Sequence, residues 1–406
     1  MGGIDRKTQQ HLGFSPERLA NIDAWMADHV ESGRLAGLAV QISRRGEIAY
    51  SARHGLRDIA GNLPVEDDTI WRIYSMTKPL TTVAALMLYE EGAFQLDQPV
   101  ADFIPAVGSK GVWKGPGHDL DDIEELARPV TVHDLMTHQS GFLYGAPKGD
   151  ALEQALAANG FRFDTGETMA DALTRLCDLP LAFQPGARWS YGYSTDVLGR
   201  LVEVISGKTL GEFFRERILD PLGMTETGFG LPEGLHPRVA KLYAPTPEGG
   251  TLELPKQDGP RRPEEATLES GGGGLLSTMG DFQRFASAML ARGCYDGGRL
   301  LGRKTFDSMV SNHMGGDLAS RGQAHFSETT FEGIGFGLGV SVMLDPAKAK
   351  IIGSPGEYAW GGMASTAFWV DPAEEMTVIL MTQLAPSSTY TLRRQLRVLS
   401  YQALVD

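Results

Sequence analysis

The chain has 406 residues, 37 Lys and Arg against 51 Asp and Glu, and a formal net charge of -14, with 42% hydrophobic and 22% charged residues. That composition suits a large folded core in one elaborate domain or two. Its acidity and the lack of any basic patch argue against nucleic acid or an anionic membrane surface as partner.

The 2 Cys, Cys177 and Cys294, have no C-x-x-C spacing and cannot form a disulfide framework, so two free thiols are expected. The N-terminal "MGGIDRKTQQHLGF" is polar and no apolar run reaches transmembrane length, which points to the cytoplasm.

In chain order, "SPERLANIDAWMADHVESG" predicts the first helix, capped by Ser15, with Pro16 at its first position and Gly33 at its stop. Leu19, Ile22, Met26 and Val30 form its apolar stripe. "GLAVQISRRGEIAYSARHG" predicts a β-hairpin turning at Arg45-Gly46. A helix opens at Ser75 or just before it. From about residue 80 to 270 the texture is helical and loop-rich, and "PTPEGGTLELPKQDGPRRPEEATLESGGGG" reads as a surface excursion. "GFGLGVSVML", "STAFWVDP" and "EEMTVILMTQL" predict three strands, with a turn at Asp371 and Pro372 between the last two. "TYTLRRQLRVLSYQALV" predicts a closing amphipathic helix.

This order implies an α/β fold of the α+β type: an antiparallel sheet built from both termini, the terminal helices on one face, and a mainly helical lobe beside it. The expected division is residues 1–80 with 271–406 as the sheet domain and 81–270 as the helical domain, with a cleft between.

Three segments carry chemistry. In "WRIYSMTKPLTTVAALMLYEEG", Ser75 and Lys78 stand three residues apart on one helix face. A serine hydroxyl needs a base before it attacks. Pro79 disfavours the helical region at Lys78, so a 3₁₀ turn over Ser75–Lys78 is expected, pressing the ammonium against the hydroxyl. The helix N-terminus suits a developing oxyanion. In "FQPGARWSYGYSTDVLG", Tyr191 is a candidate base beside a cation, and Tyr193 follows it. In "EYAWGGMASTAFWVDP", Gly361 and Gly362 let a substrate lie against backbone. The N–H of Met363 could then complete an oxyanion hole with that of Ser75.

"SMTK", "YGYS" and "WGGM" together resemble, in order and rough spacing, the three active-site motifs of serine β-lactamases and penicillin-binding proteins, in particular the class C β-lactamase-like esterases, the family VIII carboxylesterases. "LMTHQSGF", "LDQPVADFIP", "PLGMTETGF" and "GGGGLLSTMGDFQRFA" are similar to recurring segments of that family, so the resemblance spans nearly the whole chain. It implies the transpeptidase/β-lactamase-like fold, with Ser75 as nucleophile, Lys78 as its proton partner, Tyr191 as base or acid, and Tyr144 lining the pocket. It departs where Trp360 replaces the lysine of a Lys-Thr-Gly run and Tyr193 the asparagine of Tyr-x-Asn. Both losses point from penicillins to neutral esters, with Tyr193 and Trp360 against the substrate.

The expected function is carboxylic ester hydrolysis on small to medium acyl groups, without cofactor or metal. The alternatives are a β-lactamase, a D-amino peptidase or acyltransferase of the same fold, and a ligand-capturing protein without turnover. No G-x-S-x-G elbow is present. His133 and His138 in "HDLMTH" do not make H-E-x-x-H and are expected to be structural. Cys177 is expected in the core.

Overall fold

The computed structural model of the chain describes residues 4–163, 165–254, 260–322 and 328–406. Asp5 accepts the Lys7 and Thr8 N–H groups to start α1 (Arg6–His11), a helix with no apolar stripe to announce it. Ser15 accepts the Arg18 N–H and Pro16 opens α2 (Pro16–Glu31), which buries Leu19, Ile22 and Met26. β1 (Gly37–Arg44) and β2 (Glu47–Asp58) follow as a hairpin. Arg45 and Gly46 join them with φ of 53° and 83°, the left-handed pair that a tight turn between twisted strands requires. β3 (Leu63–Pro64) pairs with β2.

The helical body contributes α3 (Thr77–Glu90), α4 (Val132–Met136), α5 (Ala151–Ala158), α6 (Met169–Cys177) and α7 (Ser194–Ser206), followed by α8 (Met279–Leu290). It also holds two small antiparallel pairs, Val112–Trp113 with Ile123–Glu124 and Tyr243–Pro245 with Thr251–Glu253. The second lies at the polar stretch expected as a surface excursion. There Tyr243 is buried and its hydroxyl accepts the Ile59 N–H at 2.8 Å. Residues 255–259 of that stretch lie outside the described residues.

The C-terminal part departs from the three strands expected. "GFGLGVSVML" is two strands, β4 (Ile334–Phe336) and β5 (Ser341–Met343). Gly339, at φ 76°, reverses the chain, and Gly337 N–H donates to Val340 O. The segment entering the glycines is itself a strand, β6 (Tyr358–Gly361), paired to β7 (Ala367–Asp371) with Trp360 opposite Phe368. Glycines carry no hydropathy alternation, so its period was hidden. β8 (Met376–Thr382) and α9 (Leu392–Tyr401) complete the chain.

One eight-stranded antiparallel sheet results, in the order β4-β5-β6-β7-β8-β1-β2-β3. The chain's two ends meet where β8 lies on β1, with Val40 opposite Leu380. Every residue of β1 and β8 is buried, so this centre is covered on both faces. Alternation sorts the faces. Val378 and Leu380 pack with Leu19, Ile22, Leu392 and Leu396 of α2 and α9. Ile379 and Met381 pack on the opposite side, in the cluster that holds Phe282 and Phe285 of α8 and Leu80 and Val83 of α3. That second cluster continues through the helical body.

Cys177 and Cys294 are both free, and burial pushes the Cys177 thiol up to about 12. No described helix is long and apolar enough to cross a membrane.

Leu396 is fully buried between α9 and the sheet. Leu396→Ala is expected to lower unfolding free energy by about 2–5 kcal/mol, read from urea titrations at constant m-value. A loss within error of zero would mean that α9 is not packed as described.

Candidate active site

Ser75 lies in a single 3₁₀ turn, Tyr74–Met76, that runs into α3. The turn expected over Ser75–Lys78 thus sits one residue earlier. Pro79 falls in the first turn of α3, where a missing N–H costs no hydrogen bond, and Lys78 is helical. Tyr74 has φ 44°, a left-handed conformation that costs a non-glycine residue on the order of 1–3 kcal/mol.

The strand end opposite backs directly onto this turn. A Cβ on Gly362 would lie 2.5 Å from Ile73 O. Gly362 N–H donates to Thr366 O at 2.8 Å, and Thr366 Oγ1 donates to Ile73 O at 3.3 Å. Met363 comes next at the rim, 49% exposed. β5 pairs with β6 only at Ala359 and Tyr358, so Trp360 and Gly361 run past the end of that ladder.

Lys78 is completely buried. Its ammonium donates to Gly272 O at 2.6 Å, Tyr144 Oη at 3.1 Å and Ser75 Oγ at 3.3 Å. It also stands 4.5 Å from the centre of the Tyr191 ring. Tyr191 therefore meets the ammonium through its ring, and its hydroxyl instead accepts from Trp360 Nε1 at 3.3 Å. Tyr144, expected only to line the pocket, is the tyrosine whose hydroxyl contacts Lys78. Burial pushes its pKa well above 10, and Tyr191, Asp196 and Tyr193 push the same way, so Tyr144 stays a neutral phenol.

The glycine run docks on one face of α3. Leu275 N–H donates to Thr77 Oγ1, Lys78 to Gly272 O, and Thr81 Oγ1 to Gly271 O. Asp196, in the first turn of α7, accepts Gly272 N–H at 2.9 Å and Ser270 Oγ at 2.5 Å. Burial raises its pKa while the Lys78 charge pulls it down. Arg393 of α9 donates to Gly362 O at 2.8 Å and Thr366 O at 3.1 Å. Sequence reading passed over Asp196, Gly272 and Arg393. The available signals were the run Gly271–Gly274 and an aspartate one turn into the helix after Tyr191.

A cavity of about 660 Å³ opens above. Ser75, Tyr144, Tyr191, Tyr193, Trp360, Gly361, Gly362 and Met363 all line it, and Lys78 lies beneath its floor. Tyr193 is nearly buried, its ring 4.7 Å from that of Tyr144 and 4.8 Å from that of Phe161. Trp189, Phe331 and Ile351 contribute on the strand side. Such walls suit an apolar ligand with few polar contacts.

His138 packs behind Tyr191, ring centres 4.9 Å apart, with Nε2 3.4 Å from Thr195 Oγ1 and Nδ1 without a hydrogen-bond partner. Burial first, and then the Lys78 charge, hold its pKa well below 6.5. His133 pairs with His313 at 3.1 Å. Among the described residues no group of three His, Cys, Asp or Glu could hold a metal ion.

Residues 22–402 match the Beta-lactamase family model. The chain is 31% identical over 387 residues to Esterase EstB of Burkholderia gladioli, covering 90% of each. It is 29% identical over 364 residues to Lovastatin esterase of Penicillium rubens, covering 84% of this chain and 87% of that one. Among solved structures it is similar to EstCE1, a hydrolase with promiscuous acyltransferase activity, with TM-score 0.78 and 24% identity over 95% of this chain and 99% of the other.

His138 sets a pH expectation. It stays neutral in the folded state, while the unfolded chain protonates it near 6.5. Its contribution to stability is therefore complete above about pH 6.5 and is lost as pH falls through that value, by about 1.4 kcal/mol per pH unit. Urea midpoints at about pH 7.5 and about pH 5.5 should fall less in His138→Gln than in the parent chain. Equal falls would show that His138 protonates freely in place.

Proposed function

The chain belongs to the beta-lactamase family, and on that premise we propose that it is a carboxylesterase of the S-x-x-K type, cleaving esters of small to medium acyl groups through an acyl-enzyme on Ser75. The observation that carries this is the buried Lys78 ammonium, 3.3 Å from Ser75 Oγ at the floor of an aromatic cavity. The esterase names of two relatives support the same reading.

Ser75 Oγ attacks the ester carbonyl and gives its proton to Tyr191, with Lys78 holding the charge balance between them. The N–H groups of Ser75 and Met363 hold the oxyanion, a role worth about 2.7–4 kcal/mol per donor. Collapse breaks the C–O bond, and the departing alcohol takes the proton back. A water molecule, activated by the same base, then frees the acid and restores Ser75. Trp360 Nε1–H donates to Tyr191 Oη and fixes where that oxygen sits. Tyr144, a neutral phenol, accepts one Lys78 N–H and orients it. Tyr193, Gly361 and Gly362 bound the substrate. The substrate is neutral, because Trp360 stands where the family's penicillin-acting members carry a lysine.

The division into residues 1–80 with 271–406 and residues 81–270 belongs to this proposal. It is supported by the large sheet, whose strands all come from the first set. A cytoplasmic setting is supported by the two free thiols.

Hydrolysis of an activated aryl ester tests the roles. Ser75→Ala should abolish turnover, and Lys78→Ala and Tyr191→Phe should each lower kcat by about 10²–10⁴-fold. Near-full activity in Tyr191→Phe would remove it as the base. Added alcohol acceptors in the same assay separate transfer from hydrolysis.

β-Lactams provide a second test. Ser75 can still open a strained lactam, but without the lysine anchor the productive pose is poor. Positioning is worth about 7–11 kcal/mol of barrier, so lactam turnover should trail good esters by several decades. Steady-state rates with intact-mass detection of the acyl-enzyme measure this. A lactam cleaved more efficiently than esters would make the protein a lactamase.

A further inference from the structure

Asp196 is a buried carboxylate that the ester chemistry above does not use. It sits in the first turn of α7, whose N-terminal dipole favours an anion, while burial raises its pKa. One of its oxygens, Oδ1, accepts both Gly272 N–H and Ser270 Oγ. The other, Oδ2, is buried and has no hydrogen-bond partner.

On the far side of Gly272, the carbonyl of the same residue accepts the Lys78 ammonium at 2.6 Å, the shortest of its three contacts. All three acceptors are neutral oxygens. The cation whose attraction acts on Asp196 is Lys78. The glycine is required in between: a Cβ on Gly272 would collide with Asp196 Oδ2.

We propose that Asp196 is a positioning residue for Lys78, gripping Gly272 by its N–H so that the Gly272 carbonyl holds the ammonium beneath Ser75, and supplying the buried counter-charge to that ammonium. The proposal rests on the ester-hydrolase reading and deepens it. The titratable and charged groups that face Asp196 are Lys78 of α3, Tyr144 from the loop before α5, and Tyr193 from the turn entering α7. Its field holds both phenols further from ionisation, with the Tyr193 hydroxyl, chiefly through burial, pushed up to about 12.

Asp196→Asn separates charge from hydrogen bonding. It keeps an oxygen for Gly272 N–H and Ser270, and removes the charge. Aryl-ester rates would be measured from about pH 5.5 to about pH 10, with folding checked by thermal unfolding. The expected result is a kcat at least about ten-fold lower with KM within about two-fold. The acid-side midpoint should also move to lower pH, because losing a nearby negative charge makes every proton loss in the cluster easier. A variant with the parent kcat and midpoint would overturn the proposal.

Gly272→Ala is the second arm and decides the matter if the first variant does not fold. It forces the carboxylate from its seat but keeps the charge, so kcat should fall while the midpoint stays. Parent-like kcat there would overturn the proposal as well. Labelling of Ser75 by a fluorophosphonate, read by intact mass, repeats both comparisons without an ester. If the parent chain labels but cleaves no ester, the hydrolase reading fails, while the slowed labelling of Asp196→Asn still supports Asp196.

Discussion

A lysine ammonium with no solvent contact is the constraint on which the rest of the site depends. Taking such a charge out of water costs several kcal/mol unless its donors and its charge are met. An ammonium has three N–H groups. Lys78 finds three oxygens, from a backbone carbonyl, a phenol and the serine it serves, and the faces of Tyr191 and Tyr144 add their π-electrons at 4.5 and 5.6 Å. Each of these partners comes from a different part of the chain, so none can move without leaving a buried donor unmet.

That requirement explains features that otherwise look unrelated. The glycine run Gly271–Gly274 has to lie flat against α3, because Thr77, Lys78 and Thr81 all bond to its backbone or to Leu275. Side chains there would meet obstacles on both sides: a Cβ on Gly271 would come 3.0 Å from Thr195 O and 3.0 Å from Thr81 Cγ2. The left-handed Tyr74 and the close approach of Gly362 serve the other boundary, seating the serine turn against the end of β6. Local strain is tolerated at Tyr74 because packing from both the sheet and the helical body determines it.

Elements with strong local signals were legible in the sequence. The Ser15 cap with its i, i+3, i+4 stripe gives α2, and the Arg45-Gly46 turn gives the β1–β2 hairpin. Strands β7 and β8 read through as apolar runs, because the sheet centre is covered on both faces. β6 was not legible, since two glycines follow Trp360 and erase alternation. Nor was the split of β4 from β5, which turns on the single positive φ of Gly339. At the site, the i, i+3 spacing of Ser75 and Lys78 is a local fact of one turn and could be read. The contact of Lys78 with Tyr144 spans 66 residues and that with Gly272 spans 194, so only the fold brings them together. Asp196 was hidden for a different reason: an acidic residue in a first helical turn has an ordinary explanation in the helix dipole.

The charge balance that follows bears on what the cavity can accept. Alternation along β6 turns Trp360 and Gly362 to one face and Gly361 to the other, where a Cβ would lie 2.6 Å from the Arg393 guanidinium carbon. Arg393 is engaged by two strand carbonyls and stands 3.8 Å from Glu328, so its charge is already answered within the protein. Lys78 is answered by Asp196 through Gly272. The Trp360 indole carries no charge. It packs on Phe336 with ring centres 5.2 Å apart and still presents an N–H to Tyr191. Where the walls near Ser75 are aromatic, a neutral apolar ester loses little hydration and gains the buried surface.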